Sequence, residues 1–296
     1  MRHETLWFWT LVTPALAGFL ILTAGPMLAS LYLSFTKYDA VSPPQFIGLR
    51  NYLFLFQFEP TFWISLKVTL LYALMYVPLN LCSALLAALL LDLRVRAIGF
   101  YRTVYFLPAI LPATASAIIW IWIFNPKYGI LNRMLAAAGI EGPAWLNSTT
   151  WALPALVIMA AWSFGGTMLI FLAGLQGIPR ALYESAEIDG AGAFRRFTAI
   201  TMPMLSPVIF FNLVMSVIGA MKVFDQAFVF GLAGPGVVGG PARATLFYVL
   251  NLYDTAFTYF HMGLASAMAW FLFFLILVLT LLNFSLKHLW VFQDKA

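Results

Sequence analysis

Six long apolar stretches decide what this chain can become. They run from about Leu6 to Phe35, Trp63 to Leu91, Val104 to Phe124, Trp151 to Leu175, Met204 to Phe230 and Met262 to Leu286. A helix needs roughly 20 apolar residues to cross a bilayer, and each stretch supplies them. Lipid offers no partner to an unpaired backbone N–H or C=O, so each stretch must be helical. The expected fold is all-α: a polytopic membrane protein with six transmembrane helices in one domain over residues 1–296. Composition agrees. Apolar and aromatic residues make up 63% of the chain and charged ones 9%, against about 45–50% and 25% in soluble domains. That excludes an ordinary soluble enzyme, a disordered chain and a disulfide scaffold. A single cysteine, Cys82, excludes an internal disulfide and a cysteine metal cage, and reads as a small buried hydrophobe within an apolar helix.

The first stretch has some features of a cleaved signal peptide, with Arg2 ahead of it and Ala15-Leu16-Ala17 inside it. Its apolar run continues to Phe35, which fits a retained helix. The net charge is +5, too dilute for a nucleic-acid surface. With the N-terminus in the cytoplasm, nine Lys/Arg fall inside: Arg2, Arg94, Arg96, Arg102, Arg180, Arg195, Arg196, Lys287 and Lys295. Six fall outside, spread over loops of about 26–31 residues: Lys37, Arg50, Lys67, Lys127, Arg133 and Arg243. The positive-inside bias therefore places both termini in the cytoplasm.

The link between the fourth and fifth stretches, residues 177–203, is the most informative segment. Pro179 suits a first helical turn, because its missing N–H would be unpaired there. A short helix to Ile188 follows, and Gly190 can take a positive φ and stop it. A second short helix over 191–200 is expected to end before Pro203. Leu182, Ala186, Ile188, Phe194, Phe197 and Ile200 are available to pack on the neighbouring spans, leaving Glu184, Glu187 and Asp189 exposed.

This segment resembles the EAA loop of ABC-importer permeases through Glu184-Ser185-Ala186, Asp189-Gly190-Ala191, Phe197, Ile200, Met202-Pro203 and Pro207. Ser185 stands where the pattern has Ala, and Met202 where it has Leu. Further elements follow in order: Phe46-Ile47-Gly48-Leu49-Arg50-Asn51-Tyr52, Tyr128-Gly129-Ile130-Leu131-Asn132, Ala144-Trp145-Leu146, Gly239-Gly240-Pro241 with Thr245, Tyr253 with Ala256-Phe257, and Met262-Gly263-Leu264-Ala265-Ser266-Ala267. The ordered set is similar to the maltose-type, binding-protein-dependent sugar permeases of prokaryotic inner membranes. The resemblance implies a type I importer permease fold and a transport subunit rather than an enzyme. It implies that Glu184, Ser185, Ala186, Asp189, Gly190 and Ala191 couple the chain to an ATPase. The implied partners are a second homologous permease, a dimer of cytosolic ATPases using ATP and Mg, and an extracytoplasmic solute-binding protein, all at the lipid membrane. The chain has no Gly-x-x-x-x-Gly-Lys-Ser/Thr loop and is not expected to hold ATP or any other cofactor.

Polar residues inside a membrane span mark candidate solute paths. On a wheel of ~100° per residue, Asn212, Ser216, Gly219, Lys222 and Gln226 share one face of the fifth stretch, and Asp225 lies one turn from Lys222. These residues line a path or, alternatively, bond to neighbouring helices, with Lys222 and Asp225 as a structural ion pair. Trp162, Trp120, Trp122 and Tyr76 are candidate stacking platforms for sugar rings, although interface belts also use aromatics. Gly165, Gly166, Gly174 and Gly177 read as close-packing positions, and His261 and His288 lack partners for a metal site.

Glycerol-phosphate or polyol transport in the same family remains an alternative, with Lys222 meeting an anionic group. A secondary transporter would need buried carboxylates for ion coupling, and Asp225 alone fits. No acid–base pair converges within the spans to support an intramembrane enzyme.

Overall fold

The computed structural model describes residues 2–93, 96–233 and 238–292; Arg94 and Lys295 lie outside them. Its helices are α1 (Arg2–Phe19), α2 (Gly25–Ser34), α3 (Arg50–Gln57), α4 (Pro60–Asp92), α5 (Ile98–Ile110), α6 (Ala113–Ile123), α7 (Ile130–Ala137), α8 (Ala152–Trp162), α9 (Gly165–Gln176), α10 (Arg180–Ile188), α11 (Ala193–Arg196), α12 (Met202–Met221), α13 (Asp225–Ala233), α14 (Tyr248–Tyr253) and α15 (Met262–Leu286). Wide π-turns join α1 to α2 at Leu20–Ala24 and α11 to α12 at Phe197–Thr201. The one antiparallel strand pair among the described residues is β1 (Thr36–Lys37) with β2 (Gln45–Phe46).

Among the described residues, four helical stretches are long and apolar enough to cross a membrane alone: Trp7–Ser34, Pro60–Asp92, Ala193–Leu232 and Met262–Leu289. The third and fourth expected spans are each broken. α5 and α6 meet at a 100° bend, and α8 and α9 at 47°. The first break falls at Leu111 and Pro112, both extended with ψ of 135° and 140°. Pro112 has no N–H to return to α5 and disfavours helix in Leu111. The second falls at Ser163 and Phe164, without a proline. Six spans result when each bent pair counts as one.

The chain divides into two compact units. The first comprises Met1–Trp63 and Leu252–Leu275. There, Asn51 Nδ2 donates to the carbonyls of Ser34 (2.8 Å) and Thr36 (2.9 Å), and the Tyr52 hydroxyl donates to Ser34 Oγ (2.9 Å). Gly263 donates its N–H to the Tyr38 carbonyl, and a Cβ on it would run into the Thr36 carbonyl. The Asn51-Tyr52 and Met262-Gly263 elements thus converge on β1, where bulk is excluded.

The second unit comprises Ile64–Asn251 and Ile276–Ala296. One apolar cluster gathers Tyr72, Phe124, Leu156, Met159, Phe230 and Phe247; another gathers Ala84, Ala88, Met168, Phe171 and Leu205. Asn132 pins the segment between α7 and α8. Its amide donates to the Pro126 and Pro143 carbonyls, and its Oδ1 accepts from Trp145 Nε1 at 2.7 Å. Cys82 lies in α4 as expected, but exposed rather than buried. An outward thiol on an apolar helix meets lipid as readily as protein.

Candidate functional site

Two sites stand out, both in the second unit. The first is the segment around α10. Pro179 precedes the helix, which starts at Arg180. At its far end the Ala191 N–H donates to the Ala186 carbonyl (2.8 Å) and the Gly190 N–H to the Glu187 carbonyl (3.1 Å). Gly190 has φ +76°. This is a Schellman cap, and the left-handed residue it needs is the glycine of the motif. Ser185 Oγ donates back to the Ala181 carbonyl at 2.8 Å. Tyr183 and Thr201 hydroxyls lie 2.9 Å apart, and Arg196 pairs with Glu187 at 3.4 Å. These contacts tie α10 to the α11–α12 segment that follows.

Two expectations fail here. The second helix does not stop before Pro203: it continues through the π-turn into α12, forming the 40-residue span Ala193–Leu232. A π-turn displaces the hydrogen-bond register, so the missing proline N–H breaks nothing. Nor do all the apolar positions pack inward. Ala186, Phe197 and Ile200 are half-buried, but Ile188 is 88% and Phe194 80% exposed, and Leu182 is exposed as well. The exposed surface of this segment therefore combines Glu184 and Asp189 with three large apolar side chains.

The second site is a cavity of about 440 Å³. Asn212, Ser216, Gly219, Lys222, Asp225 and Gln226 all line it, as does Tyr76. Trp162 does not: it packs edge to face on Trp120, with ring centroids 5.7 Å apart. The helical wheel holds only to Met221. Lys222 leaves the helix at φ −108°, ψ 14°, and Asp225 opens α13. Among the described residues the two form no ion pair, because the break removes the helical spacing that would align them.

Sequence reasoning missed Asn80 and Thr167 in this wall. Asn80 is 2% exposed, and its Nδ2 donates to Thr167 Oγ1 and Ser216 Oγ, both at 3.3 Å. It thereby joins α4, α9 and α12 beside the cavity. A buried amide between Leu79 and Leu81 was the available signal. Asn212 is equally buried, and its Nδ2 has no hydrogen-bond partner among the described residues. Among the described residues the cavity thus combines hydroxyl and amide groups, the Lys222 amine without an ion-pair partner and the Asp225 carboxylate.

Residues 93–291 match the family of inner-membrane components of binding-protein-dependent transport systems. The chain belongs to that family. The permease is 42% identical to the probable ABC transporter permease protein YesP of Bacillus subtilis, over 100% of this chain and 94% of that protein. It is 35% identical to the trehalose/maltose transport system permease protein MalF of Thermococcus litoralis, over 92% and 90% of the two chains. Its fold matches a bacterial ABC transporter involved in importing the acidic polysaccharide alginate, with a TM-score of 0.80 over 97% and 96% of the chains at 23% identity. The family is one of transport permeases, not enzymes.

Proposed function

We propose that this permease forms half of the translocation path of an ATP-driven carbohydrate importer, paired with a second homologous permease. The capped helix α10 carries this reading. The short helix exposes Glu184 and Ile188, its cap exposes Asp189 and the following α11 exposes Phe194; together they have the knobs and charges needed to seat in a groove of a cytosolic ATPase. The helix's Schellman cap and its tie to the long α11–α12 span would let a rigid-body movement of that groove reach the cavity wall. ATP and Mg belong to a dimer of the partner ATPase, and an extracytoplasmic binding protein delivers the solute. Both termini and α10 lie on the cytoplasmic side in this arrangement.

Carbohydrate is favoured by the hydroxyl- and amide-lined cavity and by a relative named for trehalose and maltose. The free Lys222 ammonium supports a second reading, a phosphorylated polyol in the same path. Import assays in proteoliposomes, with neutral sugars against glycerol phosphate, separate the two. The same assay tests the ATP-driven scheme. Uptake should need the ATPase and ATP, and solute accumulation without them would sink it.

A further inference from the structure

Helix α12 holds a proline inside it, Pro207. A proline has no N–H to return to the carbonyl four residues earlier, which here belongs to Pro203. Helices bend at such points unless another donor takes the freed carbonyl. Ser206 is that donor: its Oγ gives its proton to the Pro203 carbonyl at 2.6 Å. The same oxygen accepts the backbone N–H of Phe292 at 2.8 Å. Ser206 is 4% exposed, so water competes little for either bond. Phe292 arrives there on a strap that follows the last span. After α15 ends at Leu286, a 3-10 turn over Lys287–Leu289 redirects the chain, and the Val291 N–H returns to the Lys287 carbonyl at 2.8 Å. Phe210, one turn beyond Ser206, packs on Phe284 and on Trp290 of the strap, with ring centroids 5.1 and 6.1 Å away. Pro207 therefore separates two working ends of one helix. On one side α12 continues from α11 and the π-turn; on the other it lines the cavity with Asn212, Ser216 and Gly219.

We infer that Ser206 is a positioning residue for transport: with the C-terminal strap it clasps a proline hinge in α12 shut, and α12 bends at Pro207 when the clasp opens. The inference rests on the reading above that α10 passes ATP-driven movement to the solute path. A plain rod would carry every displacement of α10 to the cavity wall. A clasped hinge instead holds the resting arrangement until the clasp gives way, which is the two-state element that a switch needs. Pro207 itself is exposed, so hinge and clasp can be altered separately.

The test uses the complete transporter in proteoliposomes and needs no solute. Its first readout is resting ATP hydrolysis. Its second is the spin-label distance across the hinge, between exposed Arg195 and Met215 after Arg195→Cys and Met215→Cys in a Cys82→Ser background; at about 1.5 Å per residue the two lie roughly 30 Å apart. Ser206→Ala should raise resting hydrolysis about two- to tenfold, the worth of one hydrogen bond, and broaden the distance distribution. Phe292→Pro, which removes the strap's N–H at a half-exposed residue and leaves Ser206 in place, should do the same. Adding Pro207→Ala to Ser206→Ala restores a backbone N–H for the Pro203 carbonyl and should return both readouts to the wild-type values. A purely structural serine would leave resting hydrolysis where it was. Unchanged hydrolysis or an unchanged distance in Ser206→Ala overturns the clasp, as does wild-type behaviour of Phe292→Pro or a double variant that stays elevated. A wild-type complex that hydrolyses no ATP would overturn the ATP-driven reading, and the clasp with it.

Discussion

Adjacent glycines at the start of α9 meet opposite surroundings. A Cβ on Gly165 would lie 2.8 Å from the Tyr105 carbonyl oxygen and 2.9 Å from Phe106 Cα. Carbon contacts are comfortable at about 3.5–4.0 Å, so the overlap with Phe106 Cα is at least about 0.6 Å, against a backbone that cannot rotate away. α9 and α5 must separate, and overpacking of this kind costs about 1–3 kcal/mol. Gly166→Ala meets open space and keeps the gain in helix propensity, at most about 1 kcal/mol. That gain is common to both variants, so their difference isolates the overlap. Unfolding in mixed detergent–SDS micelles, followed by tryptophan fluorescence, should show Gly165→Ala about 1–3 kcal/mol less stable than Gly166→Ala. Equal stabilities, or the reverse order, would refute the packing argument.

Lys222→Met should change solute KM while leaving stability within about 0.5 kcal/mol, as for other exposed side chains without a partner; a stability loss with unchanged KM would restore the structural reading of this lysine. Asn132→Ala strips three hydrogen bonds and leaves the Trp145 indole N–H buried and unpaired. A cost of about 1–3 kcal/mol is expected, with faster limited proteolysis between residues 125 and 150.

Apolar run length made the spans legible, because lipid leaves a long apolar segment no other backbone solution. The breaks inside two of them were not legible. Pro14, Pro78 and Pro207 all sit within unbroken helices, whereas Pro112 marks a 100° bend and Ser163–Phe164 bends with no proline at all. What a proline does in a span depends on whether neighbours re-satisfy the freed carbonyls, and that is a tertiary property. Gly190 was readable because one backbone conformation demands it. The cavity was half-readable. Asn212, Ser216 and Gly219 obey helical spacing, but Lys222 and Asp225 reach the same space by way of a helix end. Asn80 and Thr167 come from other spans, and only folding brings them there.

The central claim is that α10 transmits ATP-driven movement to the solute path. Its most direct test is the ratio of solute imported to ATP hydrolysed by the reconstituted complex, with Glu184→Ala and Gly190→Val introduced singly and together. Glu184 is exposed, and Gly190 holds the left-handed cap where a β-branched residue is strained. The account predicts variants that insert and assemble normally, with ATP hydrolysis continuing while import collapses. Wild-type import per ATP in the double variant would contradict it.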